Sequence, residues 1–390
     1  MVRFSSQIVQ MNKDHCCGCS ACAQECPNQC IIMKEDSEGF LYPVVDTNVC
    51  IGCLKCEKVC PCINQAEENE PLVTYATINF DSVIRCKSSS GGAFYYLANK
   101  IIKEGGVVFG VRFDDNWNVI HDMAIDVNGL HQFMGSKYVQ SRINDCFKKC
   151  KEFLLKGIKV LFVGTPCQIA GLRGFLKKDY KNLITVDIIC HGVPSPMVWQ
   201  KYVKEVSRGR KISNIAFRDK EDGWYNYKIT LNSLNGNIYS CCYRDDPYMQ
   251  LFLSDYTLRP SCYNCSAKSG RSGSDITLGD FWGVDVLAPS MYDGKGTGLM
   301  LVSTVKGKTF LLDSCELKIK EVDFQNAISH NKAWKESSPL PSSRELFFRQ
   351  IKSASVRSLY IRYIRPELLL KNILKKKAVK IFRSLLYGSF

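Results

Sequence analysis

The chain has 390 residues, 45% of them hydrophobic and 23% charged, with a net charge of +14. This length and balance suit two or three ordinary globular domains and exclude a disordered or fibrous chain. No apolar run reaches the ~20 residues of a membrane span, and residues 1–16 hold no signal-peptide core.

The 21 cysteines are the compositional anomaly. Many stand two or three residues apart, too close for ordinary disulfide geometry. Without an export signal, such clusters read as metal ligands in a reducing, cytoplasmic setting.

The chain opens on a cysteine-dense module over residues 1–64. Cys16, Cys19, Cys22 and Cys26 precede Pro27, and Cys50, Cys53, Cys56 and Cys60 precede Pro61. Both runs read C-x-x-C-x-x-C-x-x-x-C-P, the spacing of a bacterial two-cluster ferredoxin. Three thiolates of a run wrap one cubane, and the fourth reaches the other cubane. Cys16, Cys19, Cys22 and Cys60 would hold one [4Fe-4S] cluster, and Cys50, Cys53, Cys56 and Cys26 the second. The doubled run with trailing prolines points away from zinc. Cys17, Cys30 and Cys62 fall outside the spacing and read as small buried residues.

Residues 64–71 are polar and acidic and read as a linker. The body, residues 72–344, alternates strand-like and helix-like runs. Strands are predicted at 73–79, 106–113, 159–164, 183–189 and 276–280, with a hairpin of 228–234 and 237–242 about Asn235-Gly236. Helices are predicted at 92–103, 143–156 and 168–176. This alternation argues for a parallel or mixed α/β sheet. The fold class expected is therefore α+β followed by α/β: a small ferredoxin-like domain, a mixed-sheet domain, and a helical tail at 345–390.

Four cysteines of the body are dispersed. Cys167 follows one predicted strand, Cys190 follows another, and Cys262 and Cys265 form a C-x-x-C pair in a loop. Were the two strands parallel, Cys167 and Cys190 would emerge at the carboxyl edge of the sheet, where open α/β sheets place ligands. Four thiolates are the number a third [4Fe-4S] cluster needs. Cys167 as a reactive thiol at a helix start, and Cys262/Cys265 as a redox pair, stand as alternatives. Cys241-Cys242 reads as sheet packing. His191, next to Cys190, is a candidate proton shuttle or a packed histidine.

Two segments offer phosphate-binding chemistry. Ser88-Ser89-Ser90-Gly91-Gly92 precedes a helix and presents hydroxyls and backbone N–H groups at its positive end; a plain serine cap is the alternative. Residues 135–141 mix Lys137, the hydroxyls of Ser136 and Ser141, and the ring of Tyr138. No G-x-G-x-x-G fingerprint follows a strand, so a dinucleotide site of that kind is not indicated. Asp280 and Trp282 are candidates for the site wall, with ordinary core the alternative for Trp282, and Arg218 and Asp219 read as a surface or loop pair without a role.

The positive charge is concentrated in the tail. Residues 351–390 hold ten Lys/Arg against Glu367 alone, a local +9, leaving +5 elsewhere. After Pro366, Leu369, Leu370, Ile373, Leu374, Ile381, Phe382, Leu385 and Leu386 recur among Lys371, Lys375, Lys376, Lys377, Lys380 and Arg383, a basic amphipathic helix pattern. It would lie on an anionic membrane face, dock an acidic partner, or pack on the body. No zinc finger or RNA-recognition motif accompanies the charge, and nucleic-acid binding is not expected.

Taken together and in this order, the ferredoxin run, residues 88–92 and 135–141, Gly164-Thr165-Pro166-Cys167-Gln168, Cys190-His191-Gly192, the Cys262/Cys265 pair and residues 275–281 resemble the beta subunit of coenzyme F-420-reducing hydrogenase and dehydrogenase. The likeness covers about residues 12–330. That wider family includes the beta subunits of F-420-dependent formate dehydrogenases and the plant 7-hydroxymethyl chlorophyll a reductase. The resemblance implies an iron-sulfur flavoprotein that passes electrons between clusters, FAD and a deazaflavin-like or other small substrate. It implies FAD contacts from Ser89, Ser90, Gly91, Gly92, Ser136, Lys137, Tyr138 and Ser141, with Thr165 nearby. It also implies that Cys167, Cys190, Cys262 and Cys265 hold the third cluster. The basic tail is not part of the family core, and the residues that would bind an F-420 side chain are not readable. The alternatives are an electron-transfer protein that feeds a partner enzyme, and an interaction protein with structural clusters.

Overall fold

The structure is a computed structural model, and it describes residues 6–312 and 316–368. The first module is small. Strands β1 (Ile31–Glu35) and β2 (Leu41–Val45) pair antiparallel between its two cysteine loops.

The body is built on an eight-stranded mixed sheet. Its strands in chain order are β3 (Val73–Asn79), β4 (Val107–Phe113), β5 (Val119–Ala124), β6 (Val160–Val163), β7 (Leu183–Ile188), β11 (Ile276–Asp280), β12 (Gly298–Val302) and β13 (Leu317–Glu321). They lie in the order β13-β3-β12-β11-β7-β6-β4-β5. The central run β11-β7-β6-β4 is parallel, and the outer pairs are antiparallel. A second sheet joins β8 (Asn214–Asp219), β9 (Lys228–Ser233) and β10 (Gly236–Cys242). The fold is thus mixed α/β, as expected.

The central parallel strand β6 is apolar along its whole length because both faces are covered. Val160, Leu161 and Phe162 on β6 are fully buried. The predicted strands and the hairpin recur within a residue or two. The strands β5, β8, β12 and β13 and the helix Pro196–Ser207 were not predicted.

The module is packed into the body. Helix Pro166–Leu176 carries Gly171 and Gly174 on the face it turns to the module. A Cβ on Gly171 would stand 2.8 Å from Cys19 Sγ, and one on Gly174 would stand 2.6 Å from the Val59 carbonyl. Only glycine permits so close an approach. Cys17, Cys19, Ala21 and Val59 of the module share one core with Phe109, Phe162 and Leu172 of the body.

The largest core lies under the second sheet and includes Trp199, Tyr202, Phe217 and Tyr248. Helices Arg344–Gln350 and Val356–Tyr363 add Phe347, Phe348, Val356 and Leu359 to it. The basic amphipathic pattern predicted after Pro366 lies, from residue 369 onward, outside the described residues.

Candidate metal centres and redox site

The two module loops share one backbone design. Gly18 and Ser20 have φ of 71° and 63°, and Gly52 and Leu54 repeat this at 65° and 56°. Alternating left-handed residues curl a loop so that its peptide N–H groups turn inward, a nest suited to an anionic Fe–S body. Cys26 from the first run and Cys50, Cys53 and Cys56 from the second line one cavity of about 220 Å³. Cys16, Cys19, Cys22 and Cys60 are all buried, and burial raises the thiol pKa of Cys16 and Cys22. Cys30, set aside by spacing, has its sulfur 3.3 Å from that of Cys26. Among the described residues no three metal-ligating side chains converge on a point suited to one ion. A cubane is a body rather than a point, and its ligands stand around a cavity.

The parallel pairing of β6 and β7 brings Cys167 and Cys190 to one sheet edge. Past β6, Thr165 and Gln168 form a capping box, and Pro166 opens the helix, which sets Cys167 in its first turn. Cys190 leaves the end of β7. Cys262 lies in the short turn Pro260–Asn264, with Cys265 just beyond it. All four line one cavity of about 310 Å³. Cys17 and Cys62 line the same cavity. The Cys17 thiol neighbours those of Cys167, Cys19 and Cys62, and the Cys62 thiol neighbours that of Cys60. These two thiols, unassigned by spacing, fill the space between the first cluster set and the body set.

Two buried cations stand in the same wall, beside Arg271, which is paired with Glu68. Arg259 is fully buried and donates to the carbonyls of Cys16 (2.7 Å) and Leu41 (2.9 Å) and to Gln140 Oε1 (2.9 Å). Its guanidinium lies 4.1 Å from the centre of the Tyr42 ring. Lys268, 5% exposed, donates to the carbonyls of Cys190 and Ala333. His191 lines the cavity too, with Nε2 2.7 Å from Asp255 Oδ1 and its ring edge-on to Phe252.

The segments predicted to meet FAD fall into two groups. Ser89 and Ser136 are joined: the hydroxyl oxygens lie 2.8 Å apart, and the Ser136 N–H donates to Ser89 Oγ at 2.7 Å. Ser90 Oγ donates to the Thr297 carbonyl. Gly91 packs on β3 and β12, and Gly92 begins the helix Ala93–Lys103 in the left-handed conformation. Lys137 Nζ donates to the carbonyls of Gln132 and Met134, and burial pushes its pKa down to about 7. Tyr138 Oη accepts from Arg218 at 3.2 Å. Ser141 and Thr165 belong to a second, buried string. Gln168 Nε2 donates to Ser141 Oγ, Ser141 stands 3.0 Å from His121 Nδ1, and the Thr165 N–H donates to Gln168 Oε1. Thr165 Oγ1 is 3.3 Å from Cys167 Sγ, which links this string to the body cysteines.

Arg218 corrects the surface reading. It is buried and paired with Asp280, and it donates to the Ser89 carbonyl. Burial alternates along β8 from residue 214 to 217 and would set Arg218 on the open face; a register shift between Ala216 and Asp219 breaks the alternation, so strand periodicity does not find it. Lys220, just past the end of β8, donates to the carbonyls of Arg85, Ser90 and Lys295, and burial lowers its pKa to about 8. Trp282 stacks on Trp224 with ring centres 4.9 Å apart.

Residues 157–324 match the family model that describes the C terminus of the beta subunit of coenzyme F420 hydrogenase/dehydrogenase. The chain is 23% identical over 195 residues to an F(420)H(2) dehydrogenase subunit of Methanosarcina mazei. That alignment covers 47% of this chain and 55% of the relative, so the chain spans about half the length of the curated protein it matches. Among solved structures it is similar to a chain of the F420-reducing [NiFe] hydrogenase complex of Methanosarcina barkeri, at 17% identity and a TM-score of 0.46, covering 68% of this chain and 91% of that one. The matched segment, residues 157–324, holds all four body cysteines, and over that segment the chain is similar to the C terminus of coenzyme F420 hydrogenase/dehydrogenase beta subunits.

Proposed function

We propose that the protein is an iron-sulfur flavoprotein oxidoreductase. In this reading three [4Fe-4S] clusters pass electrons between a redox partner and FAD, and onward to a deazaflavin-like or other small substrate. One observation carries it: four cysteines from three separate segments line a single cavity that abuts the ferredoxin-like module. Neither sheet packing nor a lone reactive thiol requires such convergence. The matched family and the name of the curated relative, a dehydrogenase subunit, support oxidoreductase chemistry.

The donor sets fit their groups. The module loops offer N–H nests, and four thiols of one predicted set line a single cavity. The Ser89/Ser136 junction offers hydroxyls at a helix start, with Lys137, Arg218 and Lys220 about it, the chemistry a diphosphate takes. When bound there, FAD would exchange single electrons for a hydride. Arg218 holds Tyr138 and the Ser89 carbonyl in place. The Gln168 string ties Ser141 and Thr165 to the Cys167 turn. His191, beside Asp255, is placed to hold a proton at Nε2 on the cavity wall.

An electron-transfer protein that feeds a partner is the second reading. Val49, Ile51 and Leu54 are 45–60% exposed around Cys53, an apolar rim at the outer end of the module. No helix among the described residues is long and apolar enough to cross a membrane. In this reading the protein acts in the cytoplasm, and the basic tail supplies any contact with an anionic membrane face or an acidic partner.

Anaerobic purification with iron and flavin counting tests the proposal. About twelve irons, four per cubane, and one flavin per chain are expected. About eight irons without flavin would overturn it.

A further inference from the structure

Arg259 and Lys268 are buried cations, and among the described residues neither has a carboxylate partner; every hydrogen bond given above runs to a carbonyl or amide oxygen. An unpaired charge taken out of water is costly, and folds supply a counter-charge or leave it exposed. Both side chains line the cavity that the four body cysteines share. The electrostatic neighbours of Arg259 are the thiols of Cys16, Cys17 and Cys262 and the Tyr42 hydroxyl, and those of Cys190 include Lys268. The missing counter-charge is therefore one that the thiols themselves acquire. A cubane held by four thiolates is a net anion, and each electron it accepts adds one negative charge.

We propose that Lys268 is a counter-ion of the body cluster, that Arg259 is shared between the body cluster and the adjoining Cys16 cluster, and that the pair raises the reduction potentials at this inner end, drawing an electron away from the outer module cluster. The outer module cluster loses the electron and an inner cluster gains it; no atom moves and no bond changes. The inference rests on the three-cluster reading above. Net charge and hydrogen bonding near the sulfurs are established determinants of such potentials. The position of the pair also gives direction. Arg259 reaches back to Cys16, at the near edge of the module, whereas Cys50, Cys53 and Cys56 line a different cavity. The field of the pair is thus strongest at the inner end of the chain of clusters.

The test uses the whole, anaerobically purified protein and four variants: Arg259→Gln and Lys268→Gln, which remove a charge, and Arg259→Lys and Lys268→Arg, which keep it. Iron is counted, and the cluster potentials are read by redox titration followed by electron paramagnetic resonance. Each Gln variant is expected to keep about twelve irons. At least one potential should move negative by a tenfold or greater change in the reduction equilibrium, about 59 mV for one electron. The charge-keeping variants should return most of that shift. Full iron with unmoved potentials in both Gln variants overturns the proposal. If the Gln variants lose about four irons, recovery of those irons in the charge-keeping variants supports it, and loss there as well overturns it by showing a role in shape alone. About eight irons in the unaltered protein is a different failure, that of the three-cluster reading itself.

Discussion

Arg218 Nη1 lies 2.9 Å from Asp280 Oδ2, joining β8 of the small sheet to β11 of the large one. The guanidinium also rests 4.0 Å from the centre of the Tyr227 ring. With its side chain 3% exposed, Arg218 depends on this carboxylate for its counter-charge. Replacing Asp280 by Asn should cost about 3–5 kcal/mol, because it strands a buried charge. The fall would appear as a lower urea midpoint at unchanged slope. An unaltered midpoint would show that solvent reaches the guanidinium.

His121 supplies a pH signature. It is 2% exposed, stands beside Ser141 through Nδ1 and faces the Val163 carbonyl through Nε2. Burial pushes its pKa down to about 4, whereas an unfolded histidine titrates near 6.5. Between those values the unfolded chain binds the extra proton, so the contribution of His121 to stability falls as pH drops through the window. At about 1.4 kcal/mol per unit the whole effect is roughly 3 kcal/mol. Denaturation of the protein and of His121→Gln, compared from pH 7 to pH 4, should show the wild-type curve falling more steeply. Parallel curves would rule this out.

The crossing expected of the module ligands can be read by iron counting. It has Cys19 and Cys60 serve one cluster, so Cys19→Ala and Cys60→Ala should each remove about four irons, and the double variant should remove the same four. Cys19→Ala combined with Cys26→Ala should remove about eight. Eight lost in the first pair and four in the second would show that each run closes on its own cluster.

Gly91 tests how the Ser/Gly turn meets the sheet. A Cβ there would stand 2.2 Å from the Thr77 carbonyl oxygen and 2.5 Å from the Gly298 nitrogen, both backbone. Gly91→Ala should destabilise by roughly 1–3 kcal/mol through overpacking, measured as a lower melting temperature. A variant of native stability would mean that β3 and β12 part easily.

The sequence alone determined the parts whose information is local. The eight module cysteines repeat at a fixed spacing, the pattern expected where one short loop wraps one cubane. The strand β6 and the helix after it were legible because their apolar runs are neighbours in the chain, while the Thr165/Gln168 cap and Pro166 start the helix two residues earlier than expected. The tertiary structure decided everything that depends on pairing across distance. The strand β12 is a bare apolar run, and only its partners β3 and β11 give it a place. Arg218 reads as a surface charge until Asp280, 62 residues later, is folded against it. Cys17 and Cys62 look surplus until the glycine face of one helix draws the module onto the body and sets them between two groups of thiols. Arg259 and Lys268 carry no motif, because a buried charge is defined by what surrounds it, and a linear pattern does not record surroundings.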